Sequence, residues 1–294
     1  MLNDKTGAHL KMHLIVFIWG FTAVLGDLIS IQEYRLVWFR MGLATVFLYL
    51  WQRSRKVNLA ISRALLLKTA GVGLLIALHW IFFFKAIKIS NVSITLAVFS
   101  TGSFFAALLE PFFFKRKMLW YEVFFGLIIV AGLSFIIQVE VQYLEGAICA
   151  LFSLIMGVLF TLCNGKLTRN NPASILTVYE FFAGFLAVSV YLLATGEVRA
   201  ELLQLSGSDW FYMLILASIC TAYAFTASVD IMKKLSPYTV MLTTNLEPVY
   251  GIFLAYFILG DSEQMSLGFY IGAAVILATV LLNGYIKSRS RVSS

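Results

Sequence analysis

The chain has 294 residues, of which 61% are hydrophobic and only 13% are charged, and its mean hydropathy is +0.89. This composition is too apolar for a soluble protein of one or two domains, and it predicts a chain that uses lipid as its solvent. The net charge of +7 would suggest nucleic acid in a soluble protein, but here the basic residues follow membrane topology, so we expect no nucleic-acid partner.

Ten apolar stretches follow one another along the chain, most of them near the ~20 residues that a helix needs to cross a bilayer. Long apolar runs of this kind favour helices over the strands of a membrane barrel. The predicted spans are residues 12–28, 35–51, 66–84, 91–113, 118–138, 144–163, 174–195, 210–231, 238–259 and 266–286. We therefore predict an all-α integral membrane protein with ten transmembrane helices.

The loops between these spans alternate in charge. With the N-terminus in the cytoplasm, 17 of the 22 Lys and Arg residues fall on the cytoplasmic side, and the other side is mainly acidic. Basic residues are retained on the cytoplasmic side of a membrane. We expect a multi-pass protein of a bacterial-type inner (plasma) membrane with both termini in the cytoplasm. The first apolar run resembles a signal peptide, but its removal would leave nine spans, so we expect it to be retained.

Ten spans also divide into two groups of five, and an odd number of spans turns the second copy upside down. We predict a first repeat over 12–138 and a second, inverted repeat over 144–286, arranged around a central cavity. The best ungapped offset between the halves is 146 residues, which pairs Gly126 with Gly272. The basic loop 115–117 then falls on the acidic loop 261–263, as expected if the two loops lie on opposite sides of the membrane.

Two inverted copies give nearly equivalent inward-open and outward-open packings around a site between them, which is what a secondary transporter needs. Helix-weakening positions at matching places in the halves indicate that site. The same offset pairs Thr101-Gly102 with Glu247-Pro248. Pro248 lacks an amide hydrogen, so the carbonyl of Thr244 loses its usual partner. The alternative is close helix packing through small residues.

Charged groups inside a membrane are costly and are therefore functional candidates. Glu247 near mid-span can bind a substrate ammonium, carry a proton, or hold two helices together. Arg40 and Glu180 differ in predicted depth by over ~10 Å at 1.5 Å per residue, so they are not expected to form an ion pair. We interpret them as one structural charge per repeat, or as anchors of a gate. Glu110 and Asp230 lie near cytoplasmic ends, where we expect them to face water.

Several polar and aromatic residues at similar depth are further candidates for lining a cavity. His79, followed by Trp80, can join a proton relay or bind a substrate, although a lone histidine in a bundle is more often hydrogen-bonded to a neighbouring helix. Asn245, Tyr223 and Trp19 complete the candidates, with many other aromatic residues expected at the membrane interfaces. No cluster of ligands predicts a metal site, and we expect no cofactor.

Short motifs in these spans resemble a known family: Trp19-Gly20, Trp38-Phe39-Arg40, and Leu246-Glu247-Pro248-Val249 followed by Leu259-Gly260-Asp261. The chain is similar over nearly its whole length to EamA-domain members of the drug/metabolite transporter superfamily. This resemblance implies a ten-helix basket whose central cavity is lined by spans including 3, 4, 8 and 9. It supports Glu247, His79, Trp80, Thr101, Asn245 and Tyr223 as cavity residues, and it leaves Glu180 unexplained. Members of the family typically carry glutamate where Asp261 stands.

The resulting hypothesis is a monomeric permease or exporter that moves a small organic metabolite, such as an amino acid, or a drug-like compound. A lipid-handling, flippase-like protein is the alternative, and it would require a lateral opening toward the membrane lipid. An enzyme is disfavoured because the chain lacks a His-Glu-x-x-His motif, a Gly-x-Ser-x-Gly elbow and a Gly-rich phosphate loop.

Overall fold

A computed structural model describes residues 4–115 and 117–290, apart from the side chains of residues 4, 5, 200, 201, 261, 262, 284, 285 and 287–290. Arg116 and Arg291, which contribute to the predicted charge pattern, lie outside the described residues, as do the side chains of Asp261 and Ser262. Every regular element in the described ranges is helical. The α-helices are α1 (Asp4–Leu28), α2 (Glu33–Ser54), α3 (Arg63–Ile89), α4 (Val92–Phe99), α5 (Gly102–Phe114), α6 (Trp120–Val139), α7 (Leu144–Leu167), α8 (Ala173–Ala194), α9 (Gly207–Ile215), α10 (Ala224–Ile231), α11 (Pro237–Thr244), α12 (Glu247–Leu259) and α13 (Leu267–Ser290).

Eight helical stretches within the described residues are long and apolar enough to cross a membrane, which agrees with the predicted class of integral membrane protein. Some of them comprise several consecutive elements, because α4 continues into α5, α11 into α12, and α9 into α10 through a π-helical segment (Leu216–Tyr223). The exceptions among the predicted spans are α2, which carries Glu33, Arg35 and Arg40, and the shorter apolar stretch Leu267–Asn283 of α13.

Hydroxyl and amide side chains determine where several helices begin. Ser62 accepts a hydrogen bond from the amide of Leu65 at the start of α3, and Ser206 forms a capping box with Asp209 at the start of α9. Such caps satisfy amide groups that have no partner inside the helix, each contributing about 1 kcal/mol. The short loops between the spans are therefore defined by local sequence.

Two of the membrane-length stretches are broken in the middle. The first breaks at Ser100-Thr101, where the amide of Thr101 bonds the carbonyl of Val98 three residues back, and the second breaks at Asn245-Leu246 in the same way. Pro248 explains the second break because it has no amide hydrogen for the carbonyl of Thr244. The first break has no proline, but the hydroxyls of Ser100 and Thr101 bond carbonyls of the preceding turn and compete with the helical pattern.

The two breaks correspond more closely than the sequence alignment predicts. Both α4 and α11 have 8 residues, both α5 and α12 have 13, and the second pair starts and ends 145 residues after the first. The N-terminal caps follow the same spacing, since Asn91 caps α4 and Ser236 caps α11. The ungapped offset of 146 is therefore one residue out of register in this stretch, and Gly102 rather than Thr101 corresponds to Glu247.

Helices from the two halves of the chain pack closely against one another. The most extensive contacts join α3 to α7 and α8, α6 to α13, α2 to α8, and α1 to α12. The π-helical segment packs against α1 and α2, and α4 packs against α7 and α12. The buried core therefore lies mainly between the halves rather than within either one.

Two buried glutamates accept hydrogen bonds from the N-terminal ends of α4 and α11, the first parts of the two broken helices. Glu263 accepts hydrogen bonds from the amides of Val92 and Ser93, both at 2.9 Å, and from the Ser93 hydroxyl at 2.6 Å. Glu110, which we expected to face water, is buried and accepts from the amide of Tyr238 at the start of α11 at 3.4 Å. The expectation was wrong because free amides at a helix start are favourable partners for a buried carboxylate.

Candidate functional site

A cavity of about 80 Å³ lies between the two halves of the chain. Helices α1, α2, α3 and α4 contribute one part of its wall, and helices α7, α10, α11 and α12 contribute the other. Its polar and aromatic lining includes Trp19, Thr22, Arg40, His79, Trp80, Phe160, Thr161, Phe225, Ser228, Thr244 and Glu247. We refer to this space as the central cavity. Five residues predicted as candidates from the sequence meet there: Trp19, Arg40, His79, Trp80 and Glu247.

Arg40 is 2% exposed and is held by two contacts. Its Nε donates to the hydroxyl of Thr221 at 2.6 Å, and its Cζ lies 3.8 Å from the ring centroid of Trp80. Its Nη1 is buried and has no hydrogen-bond partner among the residues that the structure describes. A guanidinium stacked on an indole is fixed in direction, so the free donor is presented at a defined position.

Glu247 is the first residue of α12 and is 6% exposed. In the described part of the chain it makes no side-chain hydrogen bond, and its nearest opposite charge is Arg40, which also borders the central cavity. A carboxylate at a helix start is stabilised by the free amides of the first turn. The cavity therefore contains a guanidinium and a carboxyl group, and both retain capacity to bind another group.

His79 makes the interhelical hydrogen bond that is usual for a lone histidine in a bundle. Its Nδ1 lies 2.9 Å from the carbonyl oxygen of Ser153 on α7, and the hydroxyl of Ser153 donates to the carbonyl of His79 at 2.7 Å. Because a carbonyl only accepts, Nδ1 carries the proton, and Nε2 is left as the acceptor. The ring borders the cavity and contacts Phe160 with centroids 5.2 Å apart.

Asn245 and Pro248 lie at a different place from Glu247. Together with Ser100 they border a groove of about 520 Å³ between α4, α12 and α13 on the outside of the bundle, with a mainly apolar lining. We refer to it as the lateral groove. The Nδ2 of Asn245 donates to the hydroxyl of Ser103 at 2.7 Å, which joins the two broken helices. Asn245 and Pro248 therefore face a different space from Thr244 and Glu247, which border the central cavity.

Thr101 and Gly102 are buried at the first break and do not line the central cavity. The Thr101 hydroxyl donates a hydrogen bond to the carbonyl of Val98 at 2.8 Å. A Cβ added at Gly102 would lie 2.7 Å from the terminal methyl of Met241, which does line the cavity. Gly102 therefore packs closely against a residue of the cavity wall, whereas the Thr101 hydroxyl bonds within its own helical stretch.

Tyr223 is 49% exposed and faces outward, where it borders a surface pocket with Lys11 and Asp230. On α10, Phe225 and Ser228 occupy the inward face. Tyr223 does not share the helical spacing of these two residues, and the π-helical segment ends at Tyr223. The same segment positions Thr221 inward, where its hydroxyl accepts from Arg40.

Glu180 is fully buried on α8, outside the central cavity. The Nδ2 of Asn164 on α7 donates to Glu180 Oε2 at 3.3 Å. Among the described residues, Arg40 and Glu180 form no ion pair with each other.

Sequence reasoning missed Thr221, Ser153 and Asn164, each of which positions one of the predicted polar residues. No sequence signal distinguishes them from other small polar residues in apolar spans. Among the described residues, no group of three or more His, Cys, Asp or Glu residues is placed to hold a metal ion.

Comparisons with known proteins give one consistent result. Residues 7–138 and 144–285 each match the model of the EamA-like transporter family. The uncharacterized transporter YxxF of Bacillus subtilis (strain 168) is 22% identical over 260 residues, which covers 86% of this chain and 82% of that protein. A protein of known crystal structure has the same fold with a TM-score of 0.70 and 16% identity, over 99% of both chains. The family resemblance read from the motifs is confirmed, and the chain is a multi-pass membrane protein that belongs to the EamA-like transporter family.

Proposed function

We propose that this protein is a secondary transporter that moves a small organic metabolite, such as an amino acid, or a drug-like compound across the inner membrane by alternating access. The substrate binds in the central cavity, between two inverted five-helix repeats at 12–138 and 144–286. Both termini are cytoplasmic, and the chain acts as a monomer without a cofactor.

The observation that carries this proposal is the presence of an arginine and a glutamate side chain in the central cavity. Arg40 and Glu247 come from opposite halves of the chain and border the same cavity. The Arg40 Nη1 and the Glu247 carboxylate both have unused hydrogen-bonding capacity in the described structure. Buried charges are retained in membranes mainly where they serve a pathway or a partner. A polar substrate supplies those missing partners.

The helix packing supports the inverted repeats. The contacts of α1 with α12 and α11 have counterparts in the contacts of α7 with α5 and α4. The contacts of α3 with α7 and α8 likewise have counterparts in those of the π-helical segment with α1 and α2. The broken helices contact each other, because α4 packs against α12 and α5 packs against α11. Broken helices in matching positions are typical of transporter sites.

The size of the cavity supports a cycle in which helices separate. Its volume of about 80 Å³ suits two or three waters at ~30 Å³ each, whereas sites for drug-sized ligands occupy ~300 Å³ or more. Loading a substrate therefore requires α3, α7 and α12 to move apart on one side, and release requires the same on the other side.

The test is a thermal-shift screen of the detergent-purified protein against amino acids, polyamines, nucleosides and cationic drugs. A ligand that binds only the folded protein raises its stability, by ~2.7 kcal/mol at a hundred times its Kd. We expect a stabilising compound whose effect is lost in Glu247→Gln and retained in the matched control Glu145→Gln, since Glu145 is exposed at the start of α7.

A compound that stabilises Glu247→Gln as strongly as the unaltered protein would contradict the assignment of Glu247 and leave it a packing role. The unaltered protein and both variants are then reconstituted in liposomes loaded with the labelled compound. Exchange of label across the membrane by the unaltered protein, but not by Glu247→Gln, is the expected result.

The lateral groove favours a second candidate, a protein that handles amphipathic lipids. The groove opens on the outer surface of the bundle and reaches Ser100 and Asn245 at the two helix breaks. A lipid substrate would enter there without passing through water. Fluorescent-lipid flipping in liposomes, together with no stabilisation by any soluble compound, would favour this candidate over the first.

A further inference from the structure

Two fully buried polar side chains lie outside both the central cavity and the lateral groove. Glu180 of α8 and Asn164 of α7 are each 0% exposed. They face each other, since Asn164 Nδ2 donates to Glu180 Oε2 at 3.3 Å. Both residues lie in apolar stretches long enough to cross a membrane. The proposed substrate site does not use either of them.

One oxygen of each side chain is left over. Glu180 Oε1 and Asn164 Oδ1 are buried, and neither accepts a hydrogen bond from any residue that the structure describes. Each of these oxygens is an acceptor without a donor. The two side chains are already joined by the hydrogen bond from Asn164 Nδ2 to Glu180 Oε2. Buried polar groups are nearly always hydrogen-bonded, so two such oxygens in one pair indicate a missing hydrogen.

In the part of the chain that the structure describes, no cation on a neighbouring helix forms an ion pair with Glu180. The titratable groups on these helices make their contacts elsewhere. On α7 these groups are Cys163 and Lys166, which lies over the rings of Phe113 and Phe114; on α2, Arg40, bound to Thr221; on α3, His79, bonded to Ser153, and Lys68, exposed at a surface pocket; and on α10, Asp230, paired with Lys233.

We propose that Glu180 and Asn164 form a proton-binding site. A proton on Oε1 donates to Asn164 Oδ1, while Asn164 Nδ2 donates to Oε2, so that two hydrogen bonds join a carboxylic acid and an amide side by side. The ligand is a single proton, which satisfies both leftover oxygens and removes the uncompensated charge. No bond other than that of the proton forms or breaks.

The site is one helical turn from the central cavity. Asn164 follows Thr161 by three residues on α7, and Thr161 lines the cavity. Phe181, next to Glu180, contacts the cavity residue Trp80 with centroids 5.6 Å apart. Helix movements that open the cavity therefore act directly on the pair. We assign to this site the coupling of transport to a pH gradient. That assignment rests on the proposed function, whereas proton binding itself does not.

Infrared spectroscopy of the purified protein tests the proposal, because a protonated carboxyl has a C=O stretch distinct from the bands of a carboxylate. We compare the unaltered protein with Glu180→Gln at neutral and alkaline pH. Glutamine keeps both hydrogen bonds, since its amide nitrogen replaces the donating O–H. Glu145→Gln is the exposed control, and Glu247→Gln separates the contribution of the other buried glutamate.

We expect a carboxylic-acid band at neutral pH in the unaltered protein, with the intensity of one carboxyl lost in Glu180→Gln and none lost in Glu145→Gln. An unchanged band in Glu180→Gln would overturn the proposal, because Glu180 would then be ionised. Asn164→Ala is a second variant that removes the acceptor of the proton, and we expect the same band to shift to higher frequency. An absence of any transported compound would refute the proposed function and leave the result on the proton site intact.

Discussion

Replacing Gly73 with alanine tests the packing that holds the two halves together. A Cβ built at Gly73 of α3 would lie 2.2 Å from the backbone carbonyl oxygen and 3.0 Å from the carbonyl carbon of Glu180 on α8. Both are backbone atoms, so no side-chain rotation relieves the overlap, and α3 and α8 must separate by roughly 1 Å to restore a normal contact. Overpacking typically costs 1–3 kcal/mol, and we expect about 3 kcal/mol here because the opposing atoms belong to the backbone.

Gly71 provides a matched control on the same helix. A Cβ at that position meets nothing within 4 Å, and Gly71 is exposed. Because alanine favours helix over glycine, Gly71→Ala should leave stability unchanged or raise it by about 0.5–1 kcal/mol. The assay is thermal unfolding in detergent, in which a loss of 3 kcal/mol lowers the midpoint by roughly 5 °C. Equal midpoints for Gly73→Ala and Gly71→Ala would refute the close approach of α3 and α8.

Three further predictions concern buried polar contacts. Thr221→Val removes the acceptor of Arg40 Nε and should lower the free energy of unfolding by about 1–3 kcal/mol, measured as a lower thermal midpoint. Asn245→Ala removes the bond to Ser103, and in a double-mutant cycle the pair should show a coupling of about 1 kcal/mol. Burial raises the pKa of Glu263 above its ordinary value of 4.5. This effect outweighs the hydrogen bonds from the start of α4, which lower the pKa. The stability of the unaltered protein relative to Glu263→Gln should therefore fall as the pH rises from about 4.5 toward neutrality, since the folded protein must then release the proton at a cost.

Each of these expectations has an outcome that contradicts it. An unchanged midpoint for Thr221→Val would mean that Arg40 does not depend on that hydroxyl. Strictly additive losses in the Asn245 and Ser103 variants would show that the two side chains do not interact. A midpoint difference between the unaltered protein and Glu263→Gln that stays constant with pH would show that folding does not perturb this carboxyl.

The sequence by itself determined the class of the protein and the approximate position of nearly every helix. Apolar runs of membrane length are recognisable without any contact between them, because each helix satisfies its own backbone in lipid. Pro248 and the polar stretch around Thr101 likewise marked both helix breaks, since the loss of a backbone hydrogen bond is a local event. Charged and aromatic residues in the spans indicated five of the residues that border the central cavity.

Only the tertiary structure decided which of these residues meet. The direction of a side chain at a helix break depends on the geometry of that break, so Glu247 lies in the central cavity while Asn245 and Pro248 lie in the lateral groove. Tyr223 borders an outer pocket at the end of the π-helical segment, which has no clear sequence signature. The partners of Arg40 and Glu180 come from positions 181 and 16 residues away along the chain. A sequence shows that a buried charge needs a partner, but the packing of distant helices determines which partner it has.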